Sequence, residues 1–275
     1  MSLDVAAVEP TYDFQGARFD LTAPVDRAVV RFILSQALFG EATGVYCGLS
    51  LHSARSLEAA RFYVRQARQE LSHLELFARI FRLLDMTPEG PHWTIRWLST
   101  HNHHYPLKVW MEHAIGEGLV LDVFREVLLQ TLPADDDVGR QIERMLRVIC
   151  AEEIEHVQWG EAEVRRLLAE RPSLRWPYWG LLELQLWIAP IAARAAARRA
   201  PTHPVLAHLE PLTAHVVARA RTQALDLGVE IGDNPSLARR GFAVAWGLAL
   251  LFRSRFSRGR PVLTDTYLAE LGFPT

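Results

Sequence analysis

The chain has 275 residues and a formal net charge of −2, from 30 basic and 32 acidic residues. Because both signs are interspersed, the sequence argues against electrostatic capture of nucleic acid, although a local arginine patch leaves a tRNA substrate open as an alternative. Two cysteines without paired spacing, Cys47 and Cys150, and the absence of a secretory segment predict a reducing, cytoplasmic location. The longest apolar stretches, 180–197 and 241–252, are interrupted or too short to span a bilayer, so no transmembrane helix is expected.

Apolar residues recur every three or four positions and no strand-like alternation is found, which predicts an all-α fold. After an N-terminal segment, 1–24, the first long helix is predicted from Pro24 or Val25 to about His52. A single glutamate, Glu41, interrupts its apolar stripe.

The second predicted helix runs from Ser56, a residue type that favours the N-cap position, to Leu84. Its apolar stripe contains two polar residues, Glu70 and His73. The third helix, from about Leu107 to Leu132, repeats the first because one glutamate, Glu117, interrupts its stripe.

An acidic run, 135–137, is well placed at the start of the fourth helix, which is predicted to end near Arg171. Its stripe contains Glu153 and His156, so the pattern of the second helix also recurs. Three further helices are predicted at about 177–199, 205–230 and 235–258, with a turn near Tyr267. The expected organisation is a four-helix bundle over 25–171 and a helical extension, 172–275, that packs on it.

Residues three apart on a helix lie side by side, so Glu70 with His73, and Glu153 with His156, can each hold one metal ion. Glu41 and Glu117 would then bridge the two ions or bind them terminally. Burying unpaired carboxylates costs many kcal/mol, so four in apolar stripes require cations. The competing interpretation is neutralisation by arginines, but the nearby arginines are predicted on solvent faces: Arg65, Arg68, Arg144 and Arg147.

The spacing Glu-x-x-His is by itself a weak signal, because about one match is expected by chance in such a chain. A third match, Glu89 with His92, spans a Gly-Pro pair in a predicted loop and lies on no apolar face. The order and the apolar placement of the other two matches therefore carry the prediction. Carboxylates mixed with imidazoles favour iron, with manganese as the alternative, over zinc.

The pattern of Glu41, Glu70-Leu-Ser-His73, Glu117 and Glu153-Ile-Glu-His156 resembles the ferritin-like di-iron carboxylate superfamily over about residues 25–171. The resemblance implies two iron ions and O2 as co-substrate, with Glu41 and Glu117 among the catalytic ligands. Phe77 stands where the radical-forming relatives would place a tyrosine, which disfavours tyrosyl-radical chemistry. The C-terminal extension and the lack of a Cys-x-x-Cys unit favour the oxygenase branch.

The expected activity is therefore that of a hydroxylase or other monooxygenase acting on a small, apolar organic substrate, supplied with electrons by a ferredoxin-type donor. The alternatives are an iron-handling ferroxidase, a tRNA-modifying hydroxylase, and a catalytically silent ligand-binding bundle. A homodimer is left open.

Several neighbours of the proposed ligands have two interpretations. Glu152 is expected to orient the histidine of the other half or to be solvated. His113 is a seventh ligand or a supporting core histidine. Four residues are expected to line a substrate pocket, with helix packing as the competing interpretation: Gly44, Phe77, Trp110 and Phe124. The histidine-rich stretch 101–104 is interpreted as a solvated loop.

Overall fold

The computed structural model describes residues 8–45, 54, 56–92, 105–198, 202–231, 235–255 and 272. Within these ranges all regular structure is helical and there is no strand, which confirms the predicted all-α class. The predicted features at Cys47, at 101–104 and at Tyr267 lie outside the described residues. None of the described helices is long and apolar enough to cross a membrane.

Seven long helical segments can be distinguished among the described residues. The first four are α1 (Pro24–Gly44), α2 (Leu57–Leu83), α3 (the helical run 105–131) and α4 (Asp137–Glu170). They are followed by α5 (Arg175–Ala197), α6 (Leu209–Asp226) and α7 (Leu237–Arg255). Short 3-10 turns, Pro172–Leu174 and Leu206–His208, precede α5 and α6.

The helices begin where local chemistry satisfies their free N–H groups. The Ser56 hydroxyl accepts a hydrogen bond from the Ala59 amide at 3.0 Å, and the Asp136 carboxylate accepts one from the Gly139 amide at 2.7 Å. Both are side-chain caps of the first turn. Pro24 occupies the first position of α1, where its missing N–H costs nothing.

Helix α3 differs from the regular helix that the sequence predicts. It consists of consecutive segments, of which two have π-helical geometry: Tyr105–Lys108, Val109–Ala114 (π), Gly116–Asp122, Val123–Leu128 (π) and Leu129–Thr131. A π turn takes up more residues than an α turn and is frequent at functional sites. Glu117 lies in the α-helical segment between the two π segments.

Two apolar clusters hold the helices together. The first buries residues of α1 to α4, among them Leu34, Phe77, Phe124 and Ile149. The second joins α2, α3 and α4 to the later helices through Phe62, Trp110, Val164, Tyr178 and Ala220. Trp110 is stacked on Tyr178, with ring centroids 5.0 Å apart, and its Nε1 donates to the Tyr178 carbonyl. Helix α5 therefore packs directly on the helices that carry the polar cluster.

A buried ion network also ties the N-terminal segment and α6 to α3. The Glu126 carboxylate accepts hydrogen bonds from the backbone amides of Thr11 and Tyr12, both at 2.8 Å, and from Arg125 Nε at 2.9 Å. One helical turn earlier, Asp122 pairs with Arg219 of α6. Although Arg219 opposes it, burial raises the pKa of Asp122 to about 6.

Candidate metal centre

The structure brings the six predicted ligand side chains together from four helices. Helix α1 contributes Glu41, α2 contributes Glu70 and His73, α3 contributes Glu117, and α4 contributes Glu153 and His156. Five of the six residues are at most 4% exposed, and the Glu117 side chain is 14% exposed. Because buried carboxylates require compensating charge, the cluster is a candidate metal centre.

The first half of the cluster is centred on His73. Its Nδ1 lies 2.9 Å from Glu41 Oε2, 3.3 Å from Glu153 Oε1 and 3.6 Å from Glu70 Oε2. Each of these four residues offers a donor atom, and the four atoms lie within 4.8 Å of one another. We call Glu41, Glu70, His73 and Glu153 the His73 group.

The second half is centred on His156. Its Nδ1 lies 3.4 Å from Glu153 Oε2, 3.7 Å from Glu70 Oε1 and 4.0 Å from Glu117 Oε2. Donor atoms of Glu70, Glu117 and His156 lie within 4.8 Å of one another, and we call these three residues the His156 group.

Glu70 and Glu153 each face both histidines, one carboxylate oxygen toward each. Glu41 pairs with His73, and Glu117 lies near His156. The motif glutamates therefore lie between the two histidines, whereas the lone glutamates, Glu41 and Glu117, each lie near one of these two histidines.

The far nitrogen of each imidazole has its own partner. His73 Nε2 lies 2.8 Å from Glu152 Oε2, so of the two interpretations of Glu152 the contact with the histidine of the other half is the one observed. His156 Nε2 lies 2.9 Å from Gln69 Oε1, a contact that the sequence interpretation missed. The internal repeat carried the signal, because Gln69 precedes Glu70 just as Glu152 precedes Glu153.

Burial and mutual repulsion change the proton affinities of the cluster. Burial, reinforced by the charge of Glu70, holds the pKa of Glu41 well above its usual value, and burial likewise raises the pKa of Glu117. Burial opposes ionisation of Glu153, but His156 and His73 together lower its pKa to about 2. Protons therefore take the place of cations when no metal is bound.

The pKa values of the two histidines are raised by the surrounding carboxylates. Burial alone would lower the pKa of His73, but Glu41 and the hydrogen bond to Glu152 raise it well above its usual value. For His156, burial is outweighed by Glu153 and Glu117, which raise its pKa to about 9. Both imidazoles therefore lie in a strongly negative environment that favours any cation.

Two further polar residues lie beside Glu117. Gln66 Nε2 donates to Glu117 Oε1 at 2.5 Å and to Glu70 Oε1 at 3.3 Å, and His113 Nδ1 lies 3.0 Å from Glu117 Oε1. Burial lowers the pKa of His113 to about 3, so this imidazole is neutral. Gln66 was missed from the sequence, although it lies one turn before Glu70 on the same face of α2.

Four buried polar atoms in this region have no hydrogen-bond partner: Glu117 Oε2, His156 Nδ1, Gln66 Oε1 and His113 Nε2. Because buried polar atoms are nearly always paired, such a concentration requires an explanation. For His156, Nε2 is engaged by the Gln69 carbonyl oxygen, so Nδ1, once it has lost its proton, would present its lone pair to the cluster. A metal ion fits that arrangement.

Arginine neutralisation, the competing interpretation, finds no support among the described residues. The close ionic partners of the four carboxylates there are histidines. Arg65, Arg68 and Arg144 are exposed, and Arg147 pairs with Glu9 and Glu143.

The residues predicted to line a substrate pocket occupy different surroundings. Gly44 lies against Glu70, because a Cβ built on Gly44 would come within 2.5 Å of the Glu70 carboxyl carbon. Phe77 and Phe124 are fully buried, with ring centroids 5.6 Å apart, and Trp110 is stacked on Tyr178. Their role as pocket walls stays a prediction.

No family model, curated protein or solved structure matches this chain.

Proposed function

We propose that this chain is an O2-dependent non-haem di-iron oxidoreductase, built on a ferritin-like bundle, that oxidises a small, apolar organic substrate. The observation that carries the proposal is the mirrored arrangement of the His73 group and the His156 group, in which Glu70 and Glu153 face both histidines. A buried pair of imidazoles between four carboxylates is the donor set of a dinuclear carboxylate centre.

The donor set fits iron on two counts. Two divalent ions carry four positive charges, which balance the four carboxylates when these are ionised. Carboxylate oxygens with one imidazole per ion also suit iron or manganese, whereas zinc sites usually have four ligands with fewer carboxylates. One ion would be held by the His73 group, and the other by the His156 group together with Glu153.

Two iron ions held in this way would supply the reduction of O2 and the oxidising power for an otherwise inert substrate. The chain's own residues would bind the ions, fix their separation and exclude water. Glu152 and Gln69 hold the two imidazoles in orientation through their far nitrogens. Phe77 and Phe124, both fully buried and on the helices that carry His73 and Glu117, would contribute to an apolar shell around the cluster.

Glu41 and Glu117 are the proposed ligands that could move without disturbing both metal positions, because each belongs to one half of the cluster alone. Glu117 is the more exposed of the two, and it lies between two π segments beside neutral Gln66 and His113. We therefore propose that Glu117 is the carboxylate that would shift when a substrate enters. Electrons would come from a ferredoxin-type donor or from the substrate itself.

Iron stoichiometry with oxygen consumption tests the proposal. The protein is loaded anaerobically with Fe(II), exposed to air, and given repeated additions of Fe(II). Retained iron should saturate near two ions per chain, and Glu117→Ala should lose oxygen consumption while keeping its helical content. Glu143→Ala, which removes only a surface partner of Arg147, is the matched control and should behave as the unmodified protein.

The ferroxidase alternative and the failure of the proposal have different outcomes. Accumulation of iron far beyond two per chain would indicate the iron-storing ferroxidase instead of the oxygenase. Failure to retain any iron, or full activity of Glu117→Ala, would overturn the assignment of the centre.

A further inference from the structure

We propose that the two metal positions are unequal: the His73 group binds its ion first and more tightly, and the His156 group is the open position, at which an exogenous ligand reaches the centre. This inference rests on the proposed function, because it presupposes that both groups bind metal. It is carried by three differences between the two halves.

The first difference is in burial. Four residues of the His73 group bring donor atoms within 4.8 Å of one another, and each is at most 4% exposed. The His156 group brings three residues together in this way, and one of them, Glu117, has a side chain that is 14% exposed. Since Glu153 also lies 3.4 Å from His156 Nδ1, the two ions would meet similar numbers of protein ligands, but an ion in the His73 group would meet less water.

The second difference is in the partner of each imidazole. His73 Nε2 contacts the Glu152 carboxylate, whereas His156 Nε2 contacts the neutral amide of Gln69. A carboxylate that accepts this hydrogen bond makes the coordinating nitrogen more basic than an amide does, and such outer partners typically change metal affinity by about 10- to 100-fold. Glu152 and Gln69 occupy equivalent positions of the internal repeat. The difference between a carboxylate and an amide at these positions can therefore be tested by exchanging the two residues.

The third difference is in unmet hydrogen-bonding capacity. Gln66 Oε1 and His113 Nε2, which lie beside the His156 group and are not among the proposed metal ligands, have no hydrogen-bond partner. Among the described residues, by contrast, no buried side-chain polar atom of the His73 group lacks a partner. Buried atoms left unpaired on one side only indicate where an additional ligand is accommodated.

The surroundings of the His156 group suit a small ligand with an apolar body. Phe62 is stacked on Trp159, with ring centroids 3.6 Å apart. The Phe62 ring makes T-shaped contacts with His113 and His156, with centroids 5.4 and 5.9 Å apart, and Trp159 makes one with His113 at 5.4 Å. The ring centroids of Tyr63 and His113 are 5.7 Å apart. Aromatic rings therefore lie beside the same histidines near which Gln66 and His113 offer hydrogen bonds.

Stepwise metal binding tests the inequality without reference to turnover. Anaerobic calorimetric titration with Co2+ should show two steps, the first at least about 10-fold tighter than the second. Glu117→Gln should leave the first step unchanged and weaken the second, whereas Glu41→Gln should remove the tight step. The double exchange Glu152→Gln with Gln69→Glu keeps both side-chain sizes and should shrink or reverse the ratio.

Azide serves as the probe of the open position. It should change the visible spectrum of the protein carrying two Co2+ ions and leave the protein carrying one Co2+ unchanged. Two equal binding steps, or an azide response at one equivalent, would overturn the inference while the two-metal proposal stands. If the unmodified protein bound no Co2+, the proposed function itself would fail.

Discussion

At the scale of single residues, the position of Glu70 depends on a residue that has no side chain. The Glu70 carboxylate lies against α1 at Gly44, where an added Cβ would come within 2.5 Å of its carboxyl carbon and 2.8 Å of both oxygens. Gly44 is the last residue of α1, and the absence of a Cβ there leaves room for the carboxylate that faces both histidines.

The substitution Gly44→Ala should therefore weaken metal binding at both positions while the helices persist. The Glu70 side chain must move to relieve the contact, and it faces both His73 and His156. Gly40→Ala is the matched control, because it lies on the same helix with nothing within 4 Å of the added Cβ. Co2+ titration and thermal unfolding measure the two effects.

Gly40→Ala should gain about 0.5 to 1 kcal/mol of stability and bind two ions as the unmodified protein does. Unchanged metal affinity in Gly44→Ala would contradict the placement of Glu70 as the shared ligand.

The candidate site was largely predictable at this scale because each polar residue replaced an apolar one in a helical stripe. Glu41, Glu70 and Glu153 could be recognised from placement, and the repeat of Glu-x-x-His set the pairing. Gln69 and Gln66 were missed because an uncharged amide in a helix carries no energetic demand that a sequence pattern would expose. Only the contacts of Gln69 and Gln66 with His156 and Glu117 identify them.

At the scale of helices, α4 approaches α3 closely at Gly160. A Cβ on Gly160 would lie 2.7 Å from the carbonyl carbon and Cβ of His113 and 2.8 Å from the Ala114 amide nitrogen. These atoms belong to the first π segment, Val109–Ala114. Since backbone atoms cannot swing away as a flexible side chain does, the two helices would have to separate.

Gly160→Ala should destabilise the protein by about 1 to 3 kcal/mol, the usual cost of overpacking, and should displace His113 from Glu117. Urea unfolding measures the loss of stability. Gly241→Ala on α7, with nothing within 4 Å of its Cβ, is the control and should be neutral or slightly stabilising. Equal stability of the two variants would show that α3 and α4 are not locked together here.

The π segments of α3 mark the limit of helix prediction from this sequence. Apolar spacing predicted a helix over about 107–132, close to the observed run 105–131. Apolar residues spaced three and four apart do not, however, distinguish a local π turn from a regular α turn. The positions of α2 and α4 were easier to predict because Ser56 and the acidic run 135–137 mark their beginnings.

At the scale of the whole molecule, the sequence predicted the order of the helices and that the later helices pack on the first four, but not which residues make the contacts between them. Periodicity identifies which face of a helix is buried, whereas the element that covers that face depends on tertiary contacts. The stacking of Trp110 on Tyr178 and the pairing of Asp122 with Arg219 join α3 to α5 and α6. Neither contact has a local sequence signal, because its members lie about 70 to 100 residues apart.

The buried charge of the cluster also makes the stability of the whole molecule depend on pH. In the metal-free protein the pKa of both Glu41 and Glu117 is raised, chiefly by burial, so the folded state holds protons that the unfolded chain has lost. Stability therefore falls as the pH rises above about 4.5. Because the pKa of His156 is raised to about 9, its contribution is complete below about 6.5 and is lost as the pH rises through about 9.

Both effects have the same sign, so the metal-free protein should lose about 1 to 3 kcal/mol of stability between pH 6.5 and pH 9. Bound metal replaces the protons and needs deprotonated ligands, so the metal-loaded protein should lose less, and the stabilisation by metal should grow with pH. Urea unfolding in EDTA and in Mn2+ at both pH values measures the difference. His156→Gln should flatten the metal-free profile, because it removes the group that titrates near pH 9. Parallel profiles with and without metal would mean that the ions do not bind at these carboxylates and imidazoles.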